Sequence, residues 1–168
     1  MLQESEENMK IEEGSVCFPT PSSNTIIEFE KRWRIKLPED YKVFLQQYNC
    51  AVPIAKSFDY RGHGYFIIRF CGIIDELKKA DREARWFDID VIDTQLDERL
   101  SVDEDSDETA LLPIAGLFSD NLLCMDFREN LSSPSICIWY HEESGEFVPS
   151  TETIASSFTE FLTMLYEG

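Results

Sequence analysis

The chain has few of the residues, and none of the motifs, that usually identify an enzyme. It contains two histidines, seven glycines and five cysteines in 168 residues. No glycine-rich phosphate loop, GxSxG, HExxH or CxxC motif occurs in it. Its many carboxylates allow acid–base pairs on paper, but the sequence singles out no particular pair. We therefore predict that the protein is not an enzyme and that it binds no cofactor and no metal.

Long apolar runs and targeting signals are also missing. No stretch approaches the roughly 20 apolar residues of a membrane span. Residues 1–13 are acidic and lack the basic-then-apolar layout of a signal peptide. The cysteines are odd in number and lie mostly in apolar runs, which is typical of reduced, buried thiols in a cytoplasm. They are Cys17, Cys50, Cys71, Cys124 and Cys137. We predict a cytoplasmic protein.

Basic residues are scarce. Fifteen Lys and Arg face 33 Asp and Glu, which gives a formal net charge of −18. A surface of this sign repels nucleic-acid phosphates and anionic membranes, so neither is a predicted partner. It would attract a basic protein, although solubility alone also explains so much acid. The length and the 43% hydrophobic content fit one globular domain, which we assign to residues 1–168.

Ten carboxylates lie between Asp88 and Glu108, where Arg99 is the only basic residue. Such a block fits a docking surface for a basic protein, and this charge can speed association by about 10- to 1,000-fold at low salt. It also fits a solvated loop that has no partner. Trp86 and Phe87 stand beside the block, and we expect them to pack in the core rather than to anchor a partner. The candidate binding residues are Asp88, Asp90, Asp93, Asp97, Asp103, Glu104, Asp105, Asp107 and Glu108.

Two segments resemble metal sites but lack required ligands. Asp103, Asp105 and Asp107 match the first three ligand positions of a calcium-binding EF-hand loop. The glycine required next is absent, and the twelfth position holds isoleucine instead of glutamate. Cys137 and His141 would share one face of a strand, but no second pair completes a zinc site. The EF-hand match therefore fails, and we interpret Cys137 and His141 as structural residues.

Apolar residues recur at helical spacing in residues 25–33 and 41–48, on either side of Leu37-Pro38. A residue before proline avoids the helical region, and proline suits the first turn of a helix, so two helices meet here. Similar patterns predict a third helix at residues 74–85 and a last helix whose apolar stripe begins at Ile154.

Four apolar, β-branched or aromatic runs predict strands, at residues 65–70, 111–115, 122–127 and 136–140. Pro113 should place the second run at a sheet edge or at the start of a strand. The last two runs should form a hairpin. We predict an α+β domain, with a central, mainly antiparallel sheet of about five or six strands. An N-terminal helix pair, a middle helix and a C-terminal helix would flank this sheet.

The order of these segments resembles the SUKH superfamily, in its SMI/KNR-type branch. The family pattern Leu-Pro-x-x-Tyr-x-x-Phe-Leu reads here from Leu37 to Leu45, after Glu30 in the preceding helix. The usual Asn-Gly-Gly is Asn49-Cys50-Ala51, which casts doubt on the tight positive-φ turn that glycines permit. Further matching phrases are Pro-Ile-Ala at 113–115, Ser-Asp-Asn at 119–121, Tyr-His-Glu at 140–142 and the segment 155–162. The likeness covers residues 24–167, after a lead-in of residues 1–23.

This resemblance implies a protein-binding fold without catalytic residues. Bacterial members are mostly immunity proteins that neutralise toxins, often nucleases, by direct binding. Fungal members act in the regulation of cell-wall synthesis. The expected function is therefore that of an immunity protein for a cognate, basic toxin, and the alternative is a regulatory or scaffold module of the cell-wall type.

Overall fold

A computed structural model describes residues 9–101 and 111–168. Its α-helices are α1 (Ser23–Trp33), α2 (Glu39–Tyr48), α3 (Ile89–Leu96) and α4 (Phe158–Leu162). Its strands are β1 (Ser57–Tyr60), β2 (His63–Phe70), β3 (Leu111–Leu117), β4 (Leu122–Asp126), β5 (Ser135–Trp139) and β6 (Thr151–Ala155). The strands form one antiparallel sheet in the order β1-β2-β3-β4-β5-β6. The predicted α+β class and the six-stranded sheet are confirmed. None of the helices in the described part of the chain has the length and apolarity of a membrane span.

The helix pair meets at Leu37-Pro38 as predicted, and a buried carboxylate holds the junction. Glu30 of α1 is 5% exposed. Its Oε2 accepts the main-chain N–H of Leu37 at 2.7 Å and lies 3.5 Å from Nζ of Lys42 in α2. A buried carboxylate needs such partners, because moving a charged group out of water without a hydrogen-bond or ion-pair partner costs much free energy. The side chain thus fixes how α2 leaves α1.

The turn after α2 keeps a positive φ without glycine. Cys50 has φ +60°, and the N–H of Ala51 donates to the carbonyl of Tyr48 at 2.9 Å. The doubt raised by the missing glycine pair is therefore settled: the tight turn forms, with a cysteine in the left-handed region. Such a conformation costs an ordinary residue about 1–2 kcal/mol, so surrounding contacts must hold it.

The aromatic core lies between the sheet and the helices α2 and α4. Phe44 of α2 packs edge-on against Phe70 of β2 and against Phe158 of α4, with ring centroids 4.7 and 4.9 Å apart. Phe161 packs edge-on against Phe58 of β1. These rings are buried. Edge-to-face pairs add to the stabilisation from burial, so one aromatic cluster joins both ends of the chain.

Three sequence predictions differ from the structure in position. The middle helix occupies Ile89–Leu96, whereas residues 74–85 contain only short 3₁₀ turns, because two of the apolar positions there are alanines with little surface to bury. Ile154 belongs to β6, and Ser157 caps the shorter α4. Pro113 lies inside β3, a central strand of the sheet, and pairs with Cys124 of β4, with a register shift between Pro113 and Ala115. The pairing of β3 with β2 runs only from Leu117 to Ala115 and does not reach Pro113.

Candidate partner-binding surface

The acidic block begins with a carboxylate that is inside the protein. Asp88 is 3% exposed. Its Oδ1 accepts the N–H of Val91 at 3.0 Å, which caps the start of α3, and its Oδ2 accepts the N–H of Ile74 at 2.8 Å. Burial raises the pKa of Asp88, and these backbone hydrogen bonds partly offset the increase. The prediction of an exposed docking carboxylate is therefore corrected at Asp88, because its oxygens are used within the fold.

We expect Asp88→Ala to lower the free energy of unfolding by about 2 kcal/mol, since it removes a helix cap and leaves the Ile74 N–H without its acceptor. Urea denaturation at neutral pH measures the change. Asp88→Asn is the control and should cost less, because asparagine is a good N-cap. An equal loss in both variants would contradict the capping role.

The difference in folding stability between the wild type and Asp88→Asn should depend on pH, with a defined sign. Burial raises the folded pKa of Asp88 above 3.8. Its carboxyl therefore contributes stability below that pH, and the contribution is lost as pH rises through the folded pKa. The stability advantage of the wild type over Asp88→Asn should shrink from acid to neutral pH, and a widening gap would contradict the assignment.

The structure describes the side chains of only two of the other acidic candidates, Asp90 and Asp93. Asp90 connects α3 to α1, because its carboxylate accepts hydrogen bonds from Arg32 Nη2 at 2.7 Å and from Trp33 Nε1 at 2.8 Å. Asp93 is half-buried on α3. The side chain of Asp97 lies outside the described part of the structure. So do the residues Asp103, Glu104, Asp105, Asp107 and Glu108.

Arg99, the only basic residue of the block, is committed to another part of the fold. Its guanidinium lies 5.3 Å from the ring centroid of Trp139 and donates to the carbonyls of His141 and Ser144. His141 lies beside this guanidinium, whereas Cys137 is buried within β5. Within residues 9–101 and 111–168, no three His, Cys, Asp or Glu side chains are grouped to hold a metal ion.

An open apolar groove runs beside α3. This helix packs against β3. The groove has a volume of about 330 Å³. Its floor is close-packed: a Cβ on Gly116 would lie 2.6 Å from Cε1 of Phe87. Further lining residues come from β2, α3 and the turns around the groove, and include Ile68, Trp86, Ile92, Leu96, Asp120 and His141.

Large apolar side chains stand exposed at this groove and along its edge. Trp86 is 58% exposed and Phe118 is 62% exposed. Phe66 and Ile68, two residues apart on β2, share a face and are also exposed. The ring of Phe66 lies 5.6 Å from that of Phe118. We call Phe66, Ile68, Trp86 and Phe118 the aromatic patch. Clustered exposed apolar groups of this kind mark interaction sites.

The prediction that Trp86 packs in the core was wrong, because its side chain is exposed. Its neighbour Phe87 is half-buried and packs against Gly116. Trp86 lies on a surface 3₁₀ turn, which exposes it even though its neighbour points inward. One sequence signal could have indicated the patch. An antiparallel strand with one wet face alternates apolar and polar residues, but β2 is apolar at the outward positions Phe66 and Ile68 as well.

The exposed apolar side chains make this surface suited to binding. Aromatic side chains bury much area at low entropic cost, and the carboxylate of Asp120 lies at the groove. The fold and this surface define a class of α+β domain that carries an exposed apolar face.

The family model SUKH_6, described as SMI1-KNR4 cell-wall, matches residues 23–162. Because the match covers most of the chain, the protein belongs to the SUKH/SMI1-KNR4 family. Searches of curated proteins and of solved structures gave no match.

Proposed function

We propose that this protein is a non-catalytic immunity protein, which binds a basic toxin domain and thereby blocks it. Family membership supports a SUKH domain, and immunity is a role that the family resemblance implies. The observation that carries the proposal is the aromatic patch, four large apolar side chains exposed together beside a groove. A protein with a net charge of −18 gains little from exposing them unless a partner covers them.

Apolar contact and charge would contribute differently to binding. The aromatic patch would supply most of the affinity, since a few desolvated aromatic residues dominate typical interfaces. The acidic surface would mainly steer a basic partner toward the groove and raise the association rate. This division makes the two contributions separable by experiment.

A co-expression assay tests the function directly. Each toxin-like open reading frame beside the gene is expressed from an inducible promoter in a sensitive bacterium, with and without this protein. Rescue of growth, together with co-purification of the pair, is the expected result. A toxin that kills equally in the presence of well-expressed, folded protein would sink the proposal. Rescue without a stable complex would contradict neutralisation by direct binding.

The acidic block should control the rate of association. We expect the triple variant Asp103→Lys, Asp105→Lys, Asp107→Lys to slow association with the toxin by about 10-fold or more at low salt. Its salt dependence should flatten, because fewer charges remain to be screened. Stopped-flow association measured from low to physiological salt checks this.

The matched control makes the same charge change elsewhere, at the exposed residues Glu13, Glu28 and Glu129. A general effect of net charge would slow both triple variants equally. Equal slowing, or unchanged kinetics in the first triple variant, would reject a local role for the block.

A second candidate, a regulatory or scaffold module, is favoured by the cell-wall description of the matching family model. It would use the same aromatic patch to bind a partner other than a toxin. Two results together would favour this second function: no rescue of growth by the wild-type protein, and a cell-wall defect when its gene is deleted.

A further inference from the structure

Two cysteines that are far apart in the sequence meet at the turn after α2. Cys17 packs against Asn49, the residue that directly precedes Cys50 in the chain. The main-chain N–H of Cys17 donates to the carbonyl of Asn49 at 2.9 Å, and the Asn49 side chain donates to the carbonyl of Cys17 at 3.3 Å. These bonds hold the two backbones side by side, and such proximity is one condition for a disulfide.

A buried cation lies against this pair. Arg69 is 8% exposed. Its Nε donates to the carbonyl of Cys50 at 2.6 Å, and its Nη2 donates to the carbonyl of Ser15 at 2.8 Å. The guanidinium therefore contacts both segments that carry the two thiols, at Cys50 itself and at Ser15, two residues before Cys17. Positive charge beside a thiol favours the thiolate, which is the reactive form.

The two thiols differ in exposure and in acidity. Cys17 is half-buried and lines a cavity of about 400 Å³ that Arg69 also lines, whereas Cys50 is fully buried. The hydrogen bond from Cys50, helped by Arg69, lowers the pKa of the Cys17 thiol to about 7. The same hydrogen bond and burial raise the pKa of Cys50. Cys17 is thus the accessible nucleophile and Cys50 the adjacent thiol.

We propose that Cys17 and Cys50 form an oxidation site, at which hydrogen peroxide converts the two thiols into an intramolecular disulfide. This inference is independent of the proposed function. The Cys17 thiolate attacks one peroxide oxygen, the O–O bond breaks, and the released hydroxide takes up a proton to become water. The resulting sulfenic acid is attacked by the Cys50 sulfur. The S–S bond forms as the S–O bond breaks, and the leaving hydroxide takes the Cys50 proton. Two thiols are oxidised and one peroxide is reduced to two waters.

The consequence is structural. The disulfide would join the segment before α1 to the turn after α2, where only non-covalent contacts hold them in the reduced protein. Ile11 already bridges to Pro53, and the N–H of Glu12 donates to the carbonyl of Val52. Oxidation would make this attachment covalent.

The remaining cysteines provide the matched control. Cys124 and Cys137 stand directly opposite each other on β4 and β5 and are fully buried. Burial raises the pKa of both thiols, Cys137 to about 12. Proximity alone would oxidise this pair as readily as the first, whereas the proposal requires an accessible, acidic thiol and leaves it reduced.

The test is oxidation of the folded, full-length protein with stoichiometric hydrogen peroxide, followed by thiol counting under denaturing conditions and non-reducing tryptic mapping. We expect two of the five thiols to be lost and peptide 11–31 to be linked to peptide 43–56, reversibly with dithiothreitol. Cys17→Ser should abolish the link, Cys50→Ser should accumulate a dimedone-reactive sulfenic acid on Cys17, and Cys124→Ala should leave the link unchanged.

Iodoacetamide alkylation of Cys17 provides a second readout, with a half-maximal rate near pH 7. Five thiols remaining after oxidation would overturn the proposal. So would a Cys124–Cys137 disulfide formed in its place, or oxidation that persists unchanged in Cys17→Ser.

Discussion

Replacement of Glu30 by alanine is expected to lower the free energy of unfolding by about 3 kcal/mol, because breaking a buried, hydrogen-bonded charge pair leaves its partners unsatisfied. The Leu37 N–H, which lies in a buried segment, would lose its acceptor, and Lys42 would lose a carboxylate. The position matters because this contact joins α1 to the start of α2, the helix that contributes Phe44 to the aromatic core.

Chemical denaturation followed by tryptophan fluorescence measures this change. The matched control is Glu28→Ala on the same helix, where the carboxylate is 67% exposed and pairs with Lys31 at 3.6 Å. An exposed pair of this kind contributes about 0.5 kcal/mol or less. If Glu30→Ala and Glu28→Ala destabilise equally, Glu30 does not hold the junction.

Trp86→Ala is expected to weaken binding to the cognate toxin by about 30-fold, or about 2 kcal/mol, the typical effect of removing an interface anchor. The loss should appear mainly as faster dissociation, since short-range apolar contacts act after encounter. Stability of the free protein should change little, because the indole is already 58% exposed. Surface plasmon resonance and thermal melts measure the two quantities separately.

Phe18→Ala is the control for Trp86→Ala. Phe18 is 80% exposed and lines the cavity beside Cys17, which is separate from the aromatic patch. It tests whether any exposed aromatic residue contributes to binding. Equal weakening by both variants, or unchanged affinity of Trp86→Ala, would show that the aromatic patch is not the docking face. If Trp86→Ala rescued growth at the same expression level as the wild type, this result would also indicate that its affinity is unchanged.

Local pattern was sufficient for much of the fold. The Leu37-Pro38 junction, the helices on either side and the hairpin of β4 and β5 follow from helical spacing, proline stereochemistry and β-branched runs. Each depends on residues close together in the sequence. The predicted helix at 74–85 failed for the same kind of reason: its spacing was helical, but too little apolar surface was available to stabilise it.

The candidate site was less accessible to sequence reasoning. A count of carboxylates identified an acidic block, yet it could not separate Asp88, which caps α3 from inside, from carboxylates that face water. Nor could it show that Arg99 stacks on Trp139. Burial and pairing depend on which distant segments surround a side chain, and charge counts contain no such information.

By itself, the amino-acid sequence determined the charge, the fold class and the family resemblance of this protein, because these arise from composition and from short-range spacing. Only the tertiary structure decided that Trp86 is exposed beside the groove, that Glu30 accepts from Leu37 across the helix junction, and that Cys17 meets Cys50. All three depend on how the helices pack around the sheet. That packing follows from the summed burial of many residues rather than from any one motif.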